Sequence, residues 1–245
     1  MSLSDLFPSY SPESTDLTDS HCHLDFVDFD ADRDAVMQHA YAQGVQRFLV
    51  PGVQCATWPR LAQLRRQYAT WQVAFGLHPY FIAQHGEHDL ELLSQWLQQG
   101  AIAVGEIGLD AHIGDMAKQK RLFAAQLQIA TECQLPVILH HRKTLDAMLP
   151  LVRKAKVCGG IVHAFSGSYQ QAMAWIELGF RLGVGGVITY PRAQKTRQTI
   201  ARLPAQSLVL ETDSPDMPLR GFQGQRNEPA RVRIVFEALR ALRNE

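Results

Sequence analysis

The chain has 245 residues, 46% of them hydrophobic, which is enough for one sizeable core. Lys and Arg together number 24, as do Asp and Glu, so overall charge excludes a polycationic tail or an acidic domain, and any site for a polyanion must be local. No apolar run approaches the roughly 18 residues of a membrane span, and Cys22, Cys55, Cys133 and Cys158 form no CxxC pair, which points to reduced thiols in a soluble, cytoplasmic protein.

Residues 1–16 are polar and lack the basic and apolar regions of a secretory signal, so they read as a leader with a tendency to disorder. A single domain is expected over residues 17–245. One pattern repeats along it: a short apolar run, a loop rich in Gly, Pro, His or an acid, and then a helix-length amphipathic stretch. Strands are expected at Leu17–Leu24, Val45–Pro51, Gln72–Leu77, Ile102–Ile107, Val137–His140, Gly160–His163, Arg181–Val187 and Leu208–Glu211. Helical spacing appears at Ala35–Gln43 ahead of Gly44, and at Leu90–Gln98, Met116–Cys133, Tyr169–Leu178 and Pro229–Leu242. Pro150 is expected to interrupt the helix after the fifth strand. Such alternation predicts parallel strands joined by crossover helices. Eight units, with polar residues at strand ends from both halves of the chain, favour a (β/α)8 TIM barrel over a doubly wound open sheet.

The chemistry gathers at the C-terminal ends of these strands, where barrels of this class carry their sites. On an extended chain His21 and His23 share a face while Cys22 points to the other. An isolated HxH is often only a polar strand end, but four more titratable residues occupy equivalent places: Glu106, His140, His163 and Asp213. Four imidazoles and two carboxylates around one mouth are costly to bury without a compensating ion. Mixed N and O ligands suit Zn²⁺, Mn²⁺ or Ni²⁺, with Mg²⁺ a further candidate. Six ligands exceed the roughly three that a single catalytic zinc uses, so two divalent ions per chain are expected, with Glu106 as the natural bridge.

Seven motifs in order, DSHCHLDF from Asp19, GLHP from Gly76, VGEIGLD from Val104, PVILHHR from Pro136, HAFSGS from His163, GVGGVITYPRA from Gly183 and LETDSPDMP from Leu210, make the chain resemble the TatD-type metal-dependent deoxyribonucleases of the amidohydrolase superfamily. The stretch PDMPLRGFQGQ is most similar to the YjjV-like branch. The resemblance implies that His21, His23, Glu106 and Asp213 hold one metal and that Glu106, His140 and His163 hold the second. It further implies that a water held between the ions attacks a phosphodiester of DNA, with Asp213 as general base. The sequence departs from that pattern at both ends, with about sixteen residues ahead of the first strand and a chain that stops at Glu245.

Four residues are candidates for substrate binding. His78 follows the third strand and is placed to meet a phosphate, or else to stabilise the turn before Pro79. Arg142 shares a face with His140 and offers a bidentate fork to phosphate, its alternative being an ion pair with Glu211 or Asp213. Arg192 and Arg226 belong to a basic patch after the last two strands. Glu211 is a candidate for orienting a ligand histidine. Two other functions remain open: hydrolysis of an ester, lactone, cyclic amide or aminoacyl-tRNA ester at the same site, and a non-catalytic metal-binding scaffold.

Overall fold

A computed structural model describes residues 8–245. The strands are β1 (Leu17–Asp19), β2 (Val45–Pro51), β3 (Trp71–Phe75), β4 (Ala103–Asp110), β5 (Val137–Arg142), β6 (Gly160–Val162), β7 (Phe180–Val184) and β8 (Leu208–Leu210). Each leads into one helix: α1 (Arg33–Ala42), α2 (Trp58–Gln67), α3 (Glu87–Leu97), α4 (Met116–Glu132), α5 (Leu145–Ala155), α6 (Tyr169–Ile176), α7 (Gln194–Arg202) and α8 (Val232–Arg243). The strands form one eight-stranded sheet in chain order with parallel pairing, the topology of the (β/α)8 class. Among the described residues no helix is long and apolar enough to cross a membrane.

The chain gathers into two compact units, one of Met1–Val50, Ala164–Met173 and Arg181–Glu245, the other of Pro51–His163 and Ala174–Phe180. In the first, β1 pairs with β2 and β7 with β8. The Ser20 N–H donates to the Leu210 carbonyl at 2.8 Å, which sets the end of β1 beside β8. Helix α8 buries Val232, Val235, Phe236 and Leu239, the i, i+3, i+4, i+7 stripe of an amphipathic helix. The leader expected over residues 1–16 lies partly outside the described residues. Within its described part Tyr10 is buried, its N–H donating to the Leu208 carbonyl and its hydroxyl to the Glu245 carboxylate, each at 2.8 Å.

In the second unit β3, β4, β5 and β6 pair in sequence, and every residue of β4 is buried. Trp58, Phe75 and Trp96 pack with ring centroids 5.4–6.4 Å apart beneath α2 and α3. Two buried amides of α4 reach the strand ends. The Gln126 side chain accepts from the Leu77 N–H at 2.7 Å and donates to the Leu77 carbonyl at 3.3 Å. The Gln119 side chain accepts from the Asp110 N–H at 2.8 Å and donates to the Asp110 carbonyl at 3.1 Å.

Several boundaries differ from the expected ones. Pairing in β1 ends at Asp19, because the next residues alternate partners: Cys22 donates to the Leu49 carbonyl at 3.1 Å and His23 to the Ser214 carbonyl at 2.7 Å. Strand β7 stops at Val184, where Gly185 and Gly186 turn the chain into a 3-10 helix over Gly186–Thr189. Helices α2 and α7 lie outside the predicted helical stretches; α7 buries only Ile200 and so shows little apolar period. Pro150 does not interrupt α5, which runs through it. The proline lies in the second turn, where it forgoes one i→i−4 bond, and the clash falls on the first-turn carbonyl of Asp146.

Gly108 has φ +155°, and a Cβ there would penetrate the His140 backbone carbonyl, so β4 can approach β5 beside His140 only because this side chain is a hydrogen. Gly108→Ala is expected to destabilise the protein by about 1–3 kcal/mol or more through overpacking against backbone. Gly114→Ala, with nothing within 4 Å of the added methyl, should leave the urea midpoint unchanged. Equal midpoints for the two variants would show that this close approach is not needed.

Candidate metal centre

In the first unit, the ends of β1 and β8 are stitched together before any side chain acts. The Asp213 N–H donates to the His21 carbonyl at 2.9 Å. Asp19, fully buried, accepts from the Thr212 N–H at 3.0 Å, the Thr212 hydroxyl at 2.5 Å and the His21 N–H at 3.3 Å. Burial pushes the Asp19 carboxyl well above the usual range, with the donors from Thr212 and His21 opposing it. The loop after β8 is held by Asn227, whose amide donates to the carbonyls of Thr212 and Asp216 at 2.9 Å and of Met217 at 3.3 Å.

This frame sets three donors at one point. His21 Nε2 and His23 Nε2 are 3.3 Å apart, and each lies 3.6 Å from Asp213 Oδ1. A position equidistant from all three lies about 2.0 Å from each, matching Zn–N and Zn–O bonds of about 2.0–2.2 Å. The ring of His23 is fixed by stacking on Phe26 at 4.7 Å between centroids. Two imidazole nitrogens and a carboxylate oxygen so arranged fit a divalent transition-metal ion.

The second unit builds another cluster around Glu106, whose side chain is 2% exposed. His140 Nδ1 lies 3.2 Å and His78 Nε2 3.3 Å from Glu106 Oε1. His163 offers a ligand atom within 4.8 Å of one on Glu106. The two histidines at Glu106 Oε1 differ in kind. His78 Nδ1 accepts from the Tyr80 N–H at 3.0 Å, so its hydrogen sits on Nε2 and it faces Glu106 as a donor. The same residue is steadied by His85, whose Nε2 lies 2.9 Å from the His78 carbonyl; burial lowers the His85 pKa, which keeps that ring neutral.

His140 is gripped from the other side by Asp110, with Nε2 3.4 Å from Oδ2. Burial by itself would lower the His140 pKa, but the hydrogen bonds with Asp110 and Glu106 outweigh it and hold the pKa above the ordinary imidazole value. Asp110 moves the opposite way: burial raises it, yet the bonds from His140 and the His112 N–H, with the charges of His140 and Arg142, bring it down to about 2.

The other candidates are placed differently. Arg142 is exposed, and its charge acts on Asp110. Arg192 lies over the Tyr190 ring, 5.1 Å from its centroid. Arg226, expected to contact substrate, is instead spent on Asp32, which it grips through both terminal nitrogens at 2.6 and 2.8 Å while donating to the Asp28 carbonyl at 2.6 Å and covering Phe29. The end-on fork of Arg226 is thereby filled by a carboxylate. Glu211 accepts from the Ala164 N–H at 2.7 Å, beside His163 in the chain. Sequence reasoning passed over Asp110 and Asp19. Period-two spacing, four residues beyond Glu106 and two before His21, is the signal that finds them.

Comparison with known proteins identifies the family. A family model described as TatD related DNase matches residues 18–245. The chain is 46% identical over 233 residues to the uncharacterized metal-dependent hydrolase YjjV of Escherichia coli, covering 93% of this chain and 90% of the relative. It is 32% identical over 228 residues to a protein named 3'-5' ssDNA/RNA exonuclease TatD from Salmonella typhimurium, covering 89% and 87%. The crystal structure of the Escherichia coli TatD homolog YjjV superposes with a TM-score of 0.89 at 45% identity, over 94% of this chain and 91% of that one. A chain matched over nearly its whole length by the family model, with clusters of His, Asp and Glu at its strand ends, belongs to the TatD family of metal-dependent hydrolases.

Proposed function

We propose that the protein is a metal-dependent phosphodiesterase acting on DNA ends or short single strands. The observation that carries this reading is the donor triangle of His21, His23 and Asp213, whose 3.3–3.6 Å edges fit one divalent ion. The exonuclease name of the Salmonella typhimurium relative supports the choice of phosphodiester as substrate. In this reading, and as the family resemblance implies, His21, His23, Glu106 and Asp213 hold one ion while Glu106, His140 and His163 hold the other. When bound, two such ions lower the pKa of a water and offset charge on the attacking and leaving oxygens.

The protein's own groups then have distinct tasks. The Asp213 side chain is 17% exposed, so one carboxylate oxygen can take the proton of the attacking water. His78 has its hydrogen on Nε2, facing Glu106; with Glu106 taken up by the ions, that hydrogen would pass to a non-bridging phosphoryl oxygen. Asp110 fixes the ring of His140 and raises its basicity as a ligand, in the way that outer carboxylates tune ligating histidines. Arg142 and Arg192 supply cations that hold neighbouring phosphates.

Single-stranded oligonucleotides should be cleaved by protein loaded with Mn²⁺ or Zn²⁺, with activity lost in chelator and restored on reloading. Asp213→Ala should lower kcat by about 10²–10⁴-fold. Fully loaded protein that turns over carboxylic esters but cleaves no phosphodiester would overturn the proposal. Asp110→Asn should weaken binding of the more loosely held ion by about 10–100-fold in a competition titration against a chelator, whereas Asp32→Asn, which only breaks the pair with Arg226, should not. An unchanged titration for Asp110→Asn would remove Asp110 from its supporting role.

A further inference from the structure

We infer that a cavity next to the Asp213 loop is a subsite for a single nucleobase of the substrate strand; this rests on the phosphodiesterase reading and narrows it. The cavity, about 210 Å³, lies in the first unit and is lined by Val187, Tyr190, Arg192, Ala193, Met217 and Pro218. Pockets for drug-sized ligands run to roughly 300–1,000 Å³, so this one takes one ring system and not a dinucleotide.

Its lining has the chemistry of base stacking. Tyr190 contributes an aromatic face, and Arg192 a planar cation 5.1 Å from the centroid of that ring. Arg192 thereby serves a π-system on one side while its charge remains available to the phosphate attached to the same nucleoside. Met217 adds to the lining a polarizable side chain that adapts to rings of different shape. Met217 is 40% exposed and is one of four large hydrophobic residues exposed among those described, the others being Val27, Tyr80 and Ile234. Two of these four follow a proposed metal ligand within four positions, Val27 after His23 and Met217 after Asp213, and a third, Tyr80, follows the proposed phosphate donor His78. Large apolar side chains left in water are informative when they gather on functional loops rather than scatter.

The cavity is also pre-formed. The Tyr190 hydroxyl donates to the Pro218 carbonyl at 2.7 Å, tying its two walls together. The Thr189 hydroxyl donates to the Gly186 carbonyl at 2.6 Å and accepts from the Arg220 N–H at 3.0 Å. Gly186 presses on the same loop, since a Cβ there would lie 3.0 Å from Leu219 and 3.2 Å from the Met217 carbonyl. Asn227 clamps the carbonyls of Thr212 and Met217, the two ends of the stretch that carries Asp213. A base seated against Met217 is therefore held at a fixed offset from Asp213, with little ordering left to do on binding.

The test is abasic scanning of short single-stranded oligonucleotides, with binding read by anisotropy in chelator so that cleavage does not intervene. In the wild-type protein one position should show a penalty of about 5- to 150-fold when its base is removed, the range that base–aromatic stacking supplies. That penalty should shrink at least threefold in Met217→Ala and in Tyr190→Leu, with other positions unaffected. Met217→Ala removes an exposed side chain without touching the Tyr190–Pro218 bond, so it remains informative if Tyr190→Leu folds poorly. The inference is overturned if no position shows a base penalty, or if Met217→Ala weakens intact and abasic strands equally. Cleavage with no base penalty would sink the subsite and leave the phosphodiesterase reading standing; a base penalty in a protein that cleaves nothing once metal-loaded would do the reverse.

Discussion

The candidate metal centre depends on a buried carboxylate that is not itself a proposed ligand. Asp19 lies wholly out of solvent, and its oxygens take donors from both strand ends, the N–H of His21 at 3.3 Å and the N–H and hydroxyl of Thr212 at 3.0 and 2.5 Å. A buried carboxyl is costly unless hydrogen bonds replace its water. Residues 19 and 212 lie far apart in sequence, so this network forms only when β1 and β8 are adjacent. It therefore fixes the phase of the two chain ends relative to one another, and with it the 3.6 Å separations of Asp213 from His21 and His23. A shift of one residue in either strand end would turn a ligand to the opposite face.

The second cluster obeys the same logic with different groups. Glu106 is almost completely buried, and imidazoles of His78 and His140 meet one of its oxygens at 3.3 and 3.2 Å. What separates their roles is the far nitrogen of each ring. The Tyr80 N–H occupies His78 Nδ1 and makes the ring a donor, whereas His140 has Asp110 at its Nε2. Two histidines against one carboxylate thus differ in the partner of the far nitrogen, a backbone N–H for His78 and a carboxylate for His140.

Much of this was legible in the sequence because it is written in local periods. Apolar runs marked the strands, and the alternation rule placed His21 with His23, which the structure finds 3.3 Å apart at Nε2. What escaped has no local signature. The fork of Arg226 is filled by Asp32, 194 positions away, and no pattern within a window announces that pairing. The supporting acids were visible but unweighted: Asp110 lies in the same run as Glu106, and only the fold shows that it reaches His140. Helix α7 carries one buried apolar residue, so the periodicity that reveals other helices is missing there, although α7 follows directly on the loop with Tyr190 and Arg192. Positions that face solvent or substrate are under no hydrophobic constraint, which is why they read poorly.

The side chains that hold the site's backbone in place are mostly neutral. Gln126 grips Leu77 beside His78 and Gln119 grips Asp110, each through an amide that donates and accepts, and Asn227 grips the loop around Asp213 by donating to its carbonyls. A Lys or Arg in these places could fix the same carbonyls, but it would add a buried positive charge near donors meant for a cation and lower the basicity of every carboxylate around it. Amides give rigidity without that opposition and do not titrate, so these three contacts keep their form as pH changes. Cations appear instead where their charge does no harm to metal binding: Arg226 is neutralised by Asp32, and Arg192 lies against an aromatic ring at the edge of a cavity. Each unit thus sets acids and imidazoles together at its strand ends and fixes the backbone around them with neutral amides, a distribution of charge that suits a cation.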